Sequence, residues 1–192
     1  MSNPRPAHTL RIIAGTLRGA RLSVPVAAGL RPTPDRVRES VFAWLGDRVV
    51  GARVLDLFCG SGALALEALS RGASAAVMVE QNEAVCATLS ATIERLGCTQ
   101  AQVVNREALG YLRECNQTFD LVFLDPPFAA SLWCQALTLL RVRALIHEHS
   151  LIYLETPAGH HPAVAGYEVV REGQAGADCF ALWRLSLLLS VP

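Results

Sequence analysis

The chain has 192 residues, 52% of them hydrophobic and 18% charged, with a formal net charge of zero. That length suits one domain with a small appendage, and that composition excludes a disordered chain. The neutral total is uneven: residues 1–38 hold seven arginines against one acid, Asp35, while the remainder holds 10 basic and 16 acidic residues, so a polyanion partner is expected at the amino-terminal end.

Met1 to His8 carries prolines and no apolar segment of the kind a secretory signal needs. No stretch approaches the roughly 18 uninterrupted apolar residues of a membrane span. A cytoplasmic protein without a membrane partner is expected. Leu10–Ala14 and Ala20–Val24 read as two strands of a β-hairpin, with Gly15 and Gly19 bracketing the turn. Arg11, Arg18 and Arg21 lie on its arms and turn. In Gly29–Glu39, Thr33 reads as a helix N-cap, Pro34 as the first helical residue and Asp35 as a favourable first-turn acid. The helix is predicted to run to about Leu45, with Val37, Val41, Trp44 and Leu45 as its apolar stripe and Arg36 and Arg38 pointing elsewhere.

From Arg53 the pattern alternates. Strands are predicted at 53–58, 75–80, 101–104, 119–125 and 150–155, and helices at 62–70, 82–96, 107–114 and 130–142. Such alternation implies an α/β fold with a mostly parallel sheet covered on both faces. Tyr167–Arg171 and Cys179–Leu187 follow as an antiparallel hairpin around the loop 172–178. Six cysteines are scattered singly, without metal-ligand spacing, and read as small buried hydrophobes in a reducing compartment. His147, His149, His160 and His161 lack accompanying ligands and read as loop residues, so no metal is expected.

Three places carry chemistry. Val54–Gly62 is a strand entering a glycine turn before a helix, where backbone can approach a ligand. Glu80 ends the next strand, placed to bind ribose hydroxyls. Gly60-Ser61-Gly62-Ala63-Leu64-Ala65 also satisfies the loose dinucleotide pattern. Asp56 beside the turn opposes a pyrophosphate, however, and suits a cofactor with an ammonium group, such as S-adenosylmethionine. Asp125-Pro126-Pro127-Phe128 stops a buried strand, because proline cannot donate to the ladder. It offers a carboxylate, free carbonyls and an aromatic ring, the parts needed to grip a planar amine. Glu107 reads either as an adenine acceptor or as a first-turn helix acid.

The chain resembles the class I S-adenosylmethionine-dependent methyltransferases with an N/D-P-P-Y/F loop, and more closely the ribosomal RNA small subunit methyltransferase D family. The match rests on Arg11-Ile12-Ile13-Ala14-Gly15, Arg18-Gly19, Gly29-Leu30-Arg31-Pro32-Thr33, Asp35-Arg36-Val37-Arg38-Glu39, Gly60–Leu64, Leu66–Arg71 and Asp125–Phe128. Ala14 stands where Gly is expected, and Glu107 where Asn or Asp is. The resemblance implies a Rossmann-like class I methyltransferase sheet, mostly parallel with an antiparallel C-terminal hairpin strand, helices on both faces and an N-terminal β-hairpin arm. It divides the chain into a basic tail and arm (1–32) and a methyltransferase domain (33–192). It implies S-adenosylmethionine bound by Asp56, Phe58, Gly60, Ser61, Gly62, Glu80, Gln81, Glu107, Ala108 and Asp125. Transfer to guanine N2 would rest on Asp125, Pro126, Pro127 and Phe128. Arg11, Arg18, Arg21, Arg31, Arg36 and Arg38 would contact 16S rRNA in the small ribosomal subunit or its assembly intermediate, with the enzyme a monomer. Rival readings are an amino-methyltransferase of adenine or cytosine in DNA, an NAD-dependent oxidoreductase, and a non-enzymatic RNA-binding assembly factor.

Overall fold

The computed structural model describes residues 9–23, 33–126, 132–157, 164–176 and 178–186. Arg31, Pro127, Phe128, His160, His161 and Leu187 lie outside them. A two-stranded hairpin, β1 (Thr9–Arg11) and β2 (Arg21–Ser23), precedes helix α1 (Asp35–Leu45). The alternating part follows as β3 (Arg53–Asp56), α2 (Ala63–Ser70), β4 (Ala75–Glu80), α3 (Glu83–Leu96), β5 (Ala101–Asn105), α4 (Ala108–Glu114), β6 (Phe119–Leu124), α5 (Leu132–Val142) and β7 (Ile146–Pro157). A final hairpin, β8 (Tyr167–Ala175) and β9 (Asp178–Leu185), completes one seven-stranded sheet in the order β5-β4-β3-β6-β7-β9-β8. β9 runs antiparallel to β7 and β8; β5, β4, β3, β6 and β7 run parallel to one another.

Side chains alternate across the pleat, so each central strand feeds two cores. Val54, Leu121, Phe123 and Tyr153 face α1, α2, α3 and the hairpin. Leu55, Val122, Leu124 and Leu154 face α4 and α5. Ile12 and Leu22 are buried in the first core, so the arm packs on the domain from its base.

Several elements differ from the sequence reading. Pro34, with ψ at 147°, occupies the cap position of α1, and no side chain caps that end. The proline is still extended, so Thr33 stands one residue too early to reach the first-turn N–H groups. Phe42 joins the buried face, and so does Arg38. β7 begins at Ile146, placing His147 and His149 on a strand rather than in a loop. A register shift there is bridged by Ser150, whose Oγ accepts from His147 N and donates to Phe119 O. Polar side chains in that bulged start hid the strand. β8 runs on to Ala175, paired with Asp178, so the last connection spans only residues 176–177.

Candidate active site

The chain leaving β3 keeps its place between both neighbours: Leu57 N donates to Phe123 O on β6 at 3.1 Å, and Cys59 N to Val79 O on β4 at 3.0 Å. It then turns through Gly60 and Gly62, both at positive φ. A Cβ on Gly62 would stand 2.6 Å from Leu89 Cδ1, so only glycine fits this turn. The turn delivers the chain directly into α2, every residue of which is buried. Asp56 and Ser61 are buried beside it, and Phe58 is half-buried.

Burial pushes the Asp56 carboxyl up to about 7; the Ala65 N–H donating to it works against that, and the charge of Glu80 adds to it. The raised value makes the folded chain bind a proton that the unfolded chain releases. Stability from this group is therefore full below about pH 3.8 and lost as pH climbs toward 7, by roughly 4 kcal/mol at about 1.36 kcal/mol per unit. Asp56→Asn should accordingly melt higher than the parent at pH 8, with the gain shrinking as pH falls toward 5. A gain of equal size at both pH values in thermal melts would refute this.

Glu80 ends β4, with Oε1 accepting from Asn82 N at 2.8 Å. Its carbonyl and that of the exposed Gln81 accept from Asn105 Nδ2, each at 3.0 Å, so the end of β5 fixes the turn after β4. Asn82 caps α3. Glu107 caps α4, accepting from Leu109 N at 2.9 Å and Gly110 N at 2.6 Å, ahead of the buried Ala108. Both carboxylate oxygens of Glu107 thus serve the helix end, which favours the helix-acid reading. Asp125 is half-buried and Pro126 buried, directly after β6. The acids of β3 and β4 and the Asp125 loop thereby stand at the carboxyl ends of three adjacent strands, where open α/β sheets bind ligands. The buried Asp56 and half-buried Glu80 make this end of the sheet acidic, which suits a cation or a diol better than a pyrophosphate. Among the described residues no group of His, Cys, Asp and Glu could hold a metal ion, and no helix is long and apolar enough to cross a membrane.

The arginines divide. Arg11, Arg18, Arg21 and Arg36 are exposed. Arg38 is a correction: its side chain is 0% exposed. Its Nη2 donates to Arg11 O at 2.9 Å and to Asp35 Oδ1 at 2.7 Å. Its Nη1 lies 3.7 Å from Glu67 Oε2. A guanidinium so enclosed holds the arm to α1 and presents nothing to a phosphate. Glu67, also 0% exposed, accepts from Ile13 N at 2.7 Å, Ala14 N at 3.0 Å and Arg71 Nε at 2.7 Å. Ser70 adds to the clasp, taking Leu17 N on Oγ and Thr16 N on its carbonyl. Gly15 is required there, because a Cβ would stand 1.8 Å from Ser70 O. Arg95, which the sequence did not single out, donates from Nη2 to Arg21 O at 2.7 Å and joins the exposed arginine face.

A family profile described as conserved hypothetical protein 95 matches residues 10–184. The chain is similar to ribosomal RNA small subunit methyltransferase D of Escherichia coli, 39% identical over 94% of both chains. To the enzyme of the same name from Haemophilus influenzae it is 42% identical over 81% of this chain and 83% of that one. Among solved structures, a putative methyltransferase of Escherichia coli superposes with a TM-score of 0.85 at 39% identity, covering 93% of this chain and 99% of that chain.

Proposed function

The chain belongs to the ribosomal RNA small subunit methyltransferase D family, and on that premise we propose that it moves a methyl group from S-adenosylmethionine to N2 of a guanine in 16S rRNA of the small ribosomal subunit. The observation that carries this reading is the alignment of Glu80, Asp56 and Asp125 at the ends of neighbouring strands β4, β3 and β6. In this reading Glu80 accepts from the ribose hydroxyls and Asp56 faces the ammonium group. The glycine turn lets backbone approach the cofactor.

When bound, S-adenosylmethionine supplies an electrophilic methyl group on a sulfonium. The chain's own work is to prepare the acceptor. A guanine amine is a poor nucleophile because its lone pair is delocalised into the ring. Hydrogen bonds from its two N–H groups to Asp125 and to the Pro126 carbonyl favour a pyramidal nitrogen and aim the lone pair at the methyl carbon. Asp125 and the Pro126 carbonyl would hold the amine in line, and the sulfonium, when bound, would supply the methyl group and keep the C–S electron pair. The extra proton on nitrogen then passes to Asp125 or to water. In this reading Phe128 stacks on the base for about 1–3 kcal/mol. Most of the rate gain comes from proximity and orientation. A paired guanine must first be flipped out.

Arg11, Arg18, Arg21 and Arg36 contact phosphates in this reading and position the RNA without reading bases. Replacing Arg11, Arg18 and Arg21 together by alanine is expected to weaken RNA binding and flatten its salt slope by up to about 3. Unchanged filter binding between 50 and 200 mM salt would remove the hairpin from the interface. The enzyme works as a cytoplasmic monomer on an assembled or assembling subunit.

The test is incubation with tritiated S-adenosylmethionine and three acceptors: small subunits lacking the modification, free 16S rRNA, and duplex DNA. Label in N2-methylguanosine, strongest with subunits, is the expected result. Label only in DNA overturns the rRNA reading while leaving amine methylation standing.

A further inference from the structure

We propose that Glu155, at the carboxyl end of β7, selects guanine by accepting a hydrogen bond from its N1–H. The proposal deepens the reaction given above and rests on it. β6 and β7 pair through Phe123 with Tyr153 and Leu124 with Leu154. The next residue on each is an acid, Asp125 and Glu155. The rings of Phe123 and Tyr153 meet edge to face at 6.0 Å on one face of the sheet; the two-residue period returns Glu155, still within β7, to that face, and Asp125 follows directly on the end of β6. Neighbouring strands lie about 4.8 Å apart, so the backbones at Asp125 and Glu155 leave the last paired residues side by side at the sheet end.

The order of strands gives each acid a separate task. Across the sheet, β4, β3, β6 and β7 bring up Glu80, Asp56, Asp125 and Glu155 in turn. The first two belong to the cofactor side of Asp125. Glu155 stands on the other side, where the ring of the acceptor base continues beyond its amine.

Glu155 is also held in place. The Tyr153 hydroxyl, on a fully buried ring, donates to its Oε1. The carboxylate is half-buried, and a carboxylate can accept several hydrogen bonds across its two oxygens. Its backbone partner on β9 is Phe180, which stacks on Trp44 at 5.1 Å and 21°. Gly173 on β8 leaves room for that stack, since a Cβ there would lie 2.7 Å from the Phe180 ring.

Guanine presents N1–H beside its N2 amine. Adenine and cytosine present, beside their exocyclic amines, a ring nitrogen with a lone pair. A carboxylate next to Asp125 therefore accepts from guanine and repels the other two, which is selection by an unfavourable contact as well as a favourable one. 2-Aminopurine isolates the effect: it keeps the amine at C2 but has a lone pair at N1.

The experiment places guanine or 2-aminopurine at the modified position of reconstituted small subunits, the position being mapped with the tritium assay. It compares kcat/KM for the parent, Glu155→Gln and Glu155→Asp. The parent should prefer guanine by about 100-fold or more. Glu155→Gln, whose amide can donate to N1, should lose about 10–100-fold on guanine and shift the guanine to 2-aminopurine ratio at least about tenfold toward 2-aminopurine. Glu155→Asp should keep the parent's ratio at a lower rate. Loss of the guanine O6 affects parent and variants alike and cancels in the ratio. If Glu155→Gln lowers both substrates by one factor, Glu155 is only a support for Tyr153 and the proposal is overturned. If the parent labels no guanine at all, the reaction itself is misread, and that outcome is seen in the nucleoside analysis before any variant is made.

Discussion

Asp125→Ala is expected to slow methyl transfer by roughly 10²–10³-fold, about 3–4 kcal/mol of transition-state stabilisation, while S-adenosylmethionine still binds. The reason lies in when the carboxylate matters. A guanine amine carries little negative charge in the ground state, and its N–H groups become better donors as nitrogen gives up its lone pair. An acceptor aimed there strengthens most as the bond forms, so its loss falls on kcat more than on KM. In the proposed reading the cofactor contacts are shared among Asp56, Glu80 and the glycine turn, and they survive the change. Single-turnover transfer alongside calorimetric titration with S-adenosylmethionine separates the two effects. Transfer near the parental rate would refute the proposed role of the Asp125 loop. Equal loss of cofactor affinity and transfer would move Asp125 into the cofactor site.

The largest stability effect is expected at Glu67. Glu67→Ala should cost about 3–5 kcal/mol and lower the melting temperature by roughly 6–20 °C, at about 2–4 °C per kcal/mol for a chain of this size. Glu67 accepts from two backbone N–H groups of the arm and from Arg71, and it faces the guanidinium of Arg38. Among the described residues, Arg38 Nε and Nη1 already lack hydrogen-bond partners. Deleting the carboxylate leaves that cation buried with only Asp35 to oppose it, and strands Ile13 N and Ala14 N as well. The double change Arg38→Met with Glu67→Leu should cost less than Glu67→Ala alone, because it removes both buried charges together. A Glu67→Ala loss below about 1 kcal/mol in urea melts would show that water reaches this cluster.

Much of the sheet was legible because its signals are local. Val54–Leu57 and Leu121–Leu124 are short apolar runs ending in breakers, and Gly60 and Gly62 mark a turn that only glycine can make. The placing of Asp56, Glu80 and Asp125 at the ends of neighbouring strands is legible for the same reason. Arg38 was misread because its neighbour Arg36 is exposed and the two look alike in sequence. Its burial depends on Glu67 meeting it in space, a pairing no periodicity announces. In the sequence Glu155 reads only as the end of a strand, since its relation to Asp125 exists solely in the register of β6 against β7. Glu107 had two readings in sequence, and its hydrogen bonds to Leu109 N and Gly110 N favour one.

The clasp on the arm also sets a timetable for synthesis. Ile13 and Ala14 leave the ribosome 54 and 53 residues ahead of the carboxylate that receives them, a wait of roughly 3–10 s at usual translation rates. Through that interval the basic hairpin has no partner for its turn, and long-range closure must precede its docking. Only a chain that has already made α2 can seat its arginines as a fixed face. The basic hairpin is thus not fixed as one surface until the helix that follows the glycine turn exists.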